Sequence, residues 1–118
     1  MAELFTYRGV VKRVVDGDTV DAQLDLGFGI LMNQRFRIMD LDTPETWRPK
    51  SIAEKEHGTA ATERANELLI GHLLIFKSTK VPQIYGRYGA HITLPDDRDF
   101  ATVMIEEGFS KKESYENV

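Results

Sequence analysis

The chain has 118 residues, 42% hydrophobic and 29% charged, which suits one domain over residues 1–118 with a core and little surplus. Fifteen basic against nineteen acidic residues give a formal net charge of −4, which argues against a coat protein that holds nucleic acid by phosphate neutralisation alone. The absence of cysteine excludes disulfides and thiolate metal sites, and no apolar run approaches the roughly 20 residues that span a bilayer. Met1 to Arg8 lacks a basic start followed by an apolar stretch, so the expectation is a cytoplasmic protein without membrane contact.

Residues 5–15 read as a first strand, rich in β-branched Val10, Val11, Val14 and Val15. Asp16-Gly17 signals a hairpin turn. Residues 19–26 then alternate, with Val20, Ala22, Leu24 and Leu26 on one face and Asp21, Gln23 and Asp25 on the other. Asp18 has the parity of the buried face and falls at its end, at the rim of the core. Gly27-Phe28-Gly29 is the next turn. Residues 32–41 form a third strand, apolar on both faces around Phe36, Ile38, Met39 and Leu41, and expected to be covered on both sides. Arg37 and Asp42 are an odd number of residues apart and would oppose each other in a regular strand. A bend or bulge near Asp40 is required if both serve one site.

Residues 43–56 form a loop punctuated by Pro44 and Pro49, followed by a helix that ends near Gly71. Its expected apolar stripe is Ala53, His57, Ala60, Ala61, Ala65, Leu68 and Leu69. Ser51 with Glu54 suits a capping box, while Gly58-Thr59 offers a later start. Leu73–Phe76 reads as a buried strand of four apolar residues. Residues 88–94 alternate, with Tyr88, Ala90, Ile92 and Leu94 on one face. Asp96–Asp99 caps a short helix over residues 100–107 that Gly108 stops, and the polar tail from about residue 110 is expected to be loosely ordered. Three strands, a helix, two strands and a helix fit a mainly β, α+β fold: a five-stranded Greek-key barrel of the OB type.

Two acidic clusters flank the second and third strands. Asp18 and Asp42, with the Thr43 carbonyl, are hard oxygen donors suited to calcium or magnesium. Glu45, past Pro44, could take a proton from an attacking water or orient it. Arg37 and Arg87 could grip phosphate oxygens, and Gly86 before Arg87 allows close backbone approach. A cation and two guanidiniums would oppose the charge that builds up during phosphodiester cleavage. Carboxylates that hold a metal also lower the formal charge, so −4 is compatible with a nuclease. Other chemistries are weaker. His57, His72 and His91 lack metal-ligand spacing, Gly27-Phe28-Gly29 lacks the third glycine of a dinucleotide site, and no serine has a nucleophile motif around it. Trp47 and Arg48 suit either substrate contact or, for Trp47, core packing.

Val15-Asp16-Gly17-Asp18-Thr19-Val20, Phe36-Arg37 through Asp42-Thr43-Pro44-Glu45, and Tyr85-Gly86-Arg87 together resemble the staphylococcal (micrococcal) nuclease family, over about residues 7–110. The resemblance implies calcium held by Asp18, Asp42 and the Thr43 carbonyl. It implies Glu45 as general base or water orienter, Arg37 and Arg87 as the phosphate-binding pair, and Tyr85 at a nucleotide pocket. The implied activity is endonucleolytic hydrolysis of DNA or RNA that leaves 3′-phosphates. The alternative is a non-catalytic nucleic-acid-binding or protein-interaction module of the same fold. Two departures stand out: Gln83 and Ile84 replace the family's acidic and basic residues before Tyr-Gly-Arg, and family members continue past the position of Val118 into a further helix. A homo-oligomer that replaces that helix is one expectation, and cellular and viral origins are both compatible with the sequence.

Overall fold

A computed structural model describes residues 4–83, 86–112 and 115. Five strands close into a barrel: β1 (Thr6–Asp16), β2 (Thr19–Asp25), β3 (Leu31–Ile38), β4 (Leu74–Ser78) and β5 (Tyr88–Thr93). Their order is β1-β2-β3-β5-β4, with β4 returning to pair with β1. All neighbours are antiparallel except β3 and β5, where Phe36 lies opposite Tyr88 and Arg37 opposite Gly89. Helix α1 (Ile52–Leu69) connects β3 to β4, and α2 (Phe100–Glu106) follows β5. This is the OB-type barrel that the order of elements implies. Among the described residues, no helix is long and apolar enough to cross a membrane.

The barrel interior is filled by the inward side of each strand: Val20, Ala22 and Leu24 of β2, Phe36 and Ile38 of β3, Leu74 and Phe76 of β4, and Ala90 and Ile92 of β5. Val11 and Val14 are both buried although a regular strand would set them on opposite faces. The register of β1 shifts between Val11 and Arg13, which turns the strand's parity over. Ala61, Ala65 and Leu69 of α1, with Phe100, Val103 and Met104 of α2, complete the core.

Several expectations are corrected. β3 is covered on one face only, because Leu31, Met32, Asn33 and Arg35 are exposed. It also stops at Ile38, as Asp40 turns into the left-handed region at φ 65°. β4 begins at Leu74 and alternates, with Leu73 and Ile75 turned outward. Both strands lie in a sheet whose outer face is open to water, so unbroken apolar runs do not imply two covered faces. The earlier of the two helix starts holds: Ser51 Oγ accepts the Glu54 N–H at 3.1 Å. The buried stripe of α1 runs through Glu54, Gly58, Ala61, Ala65 and Leu69, while Ala60 is exposed.

Gly58 lets this stripe approach the loop after β3. A Cβ there would come within 2.7 Å of the Pro44 carbonyl and 2.8 Å of Thr46 Cγ2. The two helices are joined at their outer ends by Arg64, which donates to Glu107 at 2.6 and 3.0 Å. The Arg64 guanidinium holds the Glu107 carboxyl below its ordinary value.

Gly58→Ala should destabilise the protein by about 1–3 kcal/mol through overpacking, although alanine is favoured over glycine by about 1 kcal/mol within a helix. Urea unfolding measures the sign. Glu107→Gln should lower stability by less than about 1 kcal/mol at neutral pH, as the pair is on the surface. A depressed folded-state pKa stabilises above the unfolded carboxyl value and that contribution is lost on acidification. Wild type and variant should therefore converge in unfolding midpoint as pH falls through the carboxylate range.

Candidate functional site

Asp18 sits in the turn between β1 and β2 and is buried. A buried carboxylate must find donors, and it draws them from three places. Thr19 Oγ1 donates to Oδ1 at 3.0 Å, the Thr43 backbone N–H donates to Oδ2 at 2.9 Å, and Arg37 Nη2 lies 3.4 Å from Oδ2. The main chain adds a further link, since the Ile38 N–H donates to the Asp18 carbonyl at 2.8 Å.

Arg37 leaves β3 on its outer face and turns toward the loop beyond. Nη1 donates to the carbonyls of Ile38, at 2.9 Å, and Leu41. These bonds brace the left-handed step at Asp40, the bend that the odd spacing of Arg37 and Asp42 requires. Beyond it the Asp42 carboxylate comes round to the same guanidinium, with Oδ1 3.3 Å from Nη2. Asp18 and Asp42 thus meet at one nitrogen atom, the first buried and the second with its side chain 73% exposed.

The loop is held from behind. Thr43 and Pro44 are buried, Thr46 Oγ1 donates to Asp16 Oδ1, and Gly17 lies against Thr43 and Ala61. Lys111, beyond α2, donates its N–H to the Asp42 carbonyl at 2.7 Å. The segment that carries Lys111 is fastened at His57, whose Nε2 faces the Gly108 carbonyl and whose Nδ1 faces the Tyr115 hydroxyl, both at 2.8 Å. A carbonyl can only accept, so Nε2 carries the proton and Nδ1 accepts from Tyr115. His57 is therefore a structural tie, consistent with its lack of ligand spacing.

The other expected residues are less closely gathered. Glu45 is exposed three positions past Asp42. Arg87 is half-buried and immediately precedes β5, where Gly89 lies opposite Arg37. Residue 87 has the parity of Gly89, but it lies outside β5 and its Nε is buried. Tyr85 and Ile84 lie outside the described residues. Trp47 is exposed, which removes the core-packing alternative. Sequence reasoning missed three supports of the site: the Arg37 bonds to backbone carbonyls, the Gly58–Ala61 contact face and the Lys111 tether. Small residues three apart on the helix were the available signal for the second, and a backbone donor such as Lys111 leaves no signal.

The donor set suits a hard cation. Asp18 and Asp42 offer carboxylate oxygens, in keeping with calcium or magnesium. Each carboxylate has about four acceptor positions, and the bonds described fill only part of them. Among the described residues no three His, Cys, Asp or Glu side chains converge, so a full oxygen shell would also draw on backbone carbonyl and water.

The comparisons give the family. The model of the staphylococcal nuclease homologue family matches residues 35–118. A thermonuclease of Staphylococcus intermedius is 30% identical over 107 residues, which cover 90% of this chain and 60% of that protein. The chain belongs to the staphylococcal nuclease homologue family.

Asp18→Ala would strand the Thr43 N–H and should cost about 1–3 kcal/mol. Asp18→Asn keeps an acceptor for that N–H and should cost less. Urea unfolding of both variants checks the order.

Proposed function

We propose that the chain is a calcium-dependent endonuclease that hydrolyses phosphodiester bonds of DNA or RNA and leaves 3′-phosphates. The observation that carries this reading is the meeting of Asp18 and Asp42 at one nitrogen of Arg37. Family membership and the similarity to a thermonuclease support it.

Asp18, Asp42 and the Thr43 carbonyl would hold the cation. When bound, calcium supplies positive charge for the phosphate oxygens and lowers the barrier electrostatically. The charges of the surrounding side chains explain why it is needed. Asp18, Asp42 and Glu45 outnumber Arg37 and Arg87, and a phosphodiester would be repelled until a divalent ion reverses the local sign.

Each side chain then has a distinct task. Arg37 and Arg87 bind the non-bridging oxygens, where negative charge builds as the transition state forms. Glu45 orients a water and accepts its proton as the oxygen attacks phosphorus. The bond to the 5′ oxygen breaks, that oxygen takes a proton from solvent and leaves as a hydroxyl, and the phosphate stays on the 3′ side. The buried backbone around Asp18 keeps the acids in place without reorganisation during the reaction.

Plasmid DNA and RNA should be cut with calcium, weakly or not at all with magnesium, and not with chelator. Glu45→Gln and Arg87→Ala should each lower the rate by at least about 10² with unchanged unfolding midpoints. Binding without cleavage under every metal would overturn the enzymatic reading.

A further inference from the structure

Trp47 is the chain's sole tryptophan and is 77% exposed. Tryptophan is a large apolar side chain that folded proteins mostly cover. Here it stands two residues beyond Glu45, so its Cα is within about 7 Å of that residue's Cα. Its loop is anchored on both sides of the fold: Thr46 bonds to Asp16, and Gly58 brings α1 against the Pro44 and Glu45 carbonyls. The ring is therefore exposed on a braced segment, two residues from Glu45.

The immediate surroundings suit one kind of partner. The Arg48 guanidinium lies 4.4 Å from the Trp47 ring centroid, a cation–π arrangement, and Lys50 follows, also exposed. Past Glu45 the loop thus changes from acidic to basic with an aromatic ring between. A polyanion with flat bases fits this pattern. Stacking uses the ring and the cations meet the backbone, the combination by which proteins track single strands.

We propose that Trp47 is a stacking platform for an unpaired base next to the scissile phosphate, with Arg48 and Lys50 contacting the flanking backbone. It rests on the nuclease reading for the position of that phosphate. A base paired in a duplex cannot open its face to the ring, so the platform favours single-stranded DNA, RNA or locally melted duplex.

The test uses the full chain carrying Glu45→Gln, so that the probes are not cut in calcium. A fluorescently labelled oligothymidylate and a hairpin duplex of equal length are each titrated with calcium and with chelator. Cleavage is followed separately with Glu45 intact. Label anisotropy reports binding, and the intrinsic emission of Trp47 reports stacking. Single-strand binding should quench that emission. Trp47→Ala should weaken single-strand binding by about 5- to 150-fold, the range for one base–aromatic stack, and duplex binding by less than about threefold. Trp47→Phe should retain most of the affinity. Binding without quenching, an equal loss on both probes, or no binding to the single strand would each overturn the proposal. The two readings also fail separately. Cleavage of single-stranded and of plasmid DNA that are both indifferent to Trp47→Ala leaves the nuclease without the platform. Quenching by a protein that never cleaves leaves the platform without the nuclease.

Discussion

A carboxylate taken out of water must be matched by donors, and most of the site's geometry follows from how Asp18 meets that demand. The β1–β2 turn cannot satisfy it alone. One donor comes from Thr19 beside it, one from the backbone of Thr43, and a charge from Arg37 at the end of β3. Three segments distant in sequence are thereby drawn to one point. Arg37 transmits the constraint further, because its bonds to Ile38 and Leu41 fix the chain reversal that brings Asp42 to the guanidinium. Removing one partner of such a set leaves a buried charge uncompensated, so its members are held more strictly than a surface ion pair would be.

The same point is where barrel, helix and C-terminal segment touch. α1 lies close enough to support the loop only because small residues, Gly58 and Ala61, face it. The outer side of β3 is open along Leu31, Asn33 and Arg35, but at its end Arg37 folds back onto the loop, and Gly89 opposite it lies beneath Met39 and Thr79.

Much of the barrel was legible in the residues. The alternation from Val20 to Leu26 and from Tyr88 to Leu94 assigned β2 and β5, and Asp16-Gly17 assigned the first turn. The odd spacing of Arg37 and Asp42 called for a bend, found at Asp40. Apolar runs misled at β3 and β4, because consecutive hydrophobic residues also occur where one side of a strand faces water. The stripe of α1 was shifted toward Ala60, since a pattern of hydrophobic residues cannot mark Glu54 and Gly58 as buried. Contacts made by backbone groups, such as Thr43 to Asp18 and Lys111 to Asp42, are independent of side-chain identity and so leave no trace in composition or period.

Lys111 lies far downstream of Asp42, yet its N–H secures that residue's carbonyl. During translation the acidic loop leaves the ribosome well before the strap that fastens it. The order of synthesis thus separates possession of the acids from their fixed arrangement. A chain cut short before residue 111 would keep Asp18, Arg37 and Asp42 but lose the backbone bond that closes on the Asp42 carbonyl.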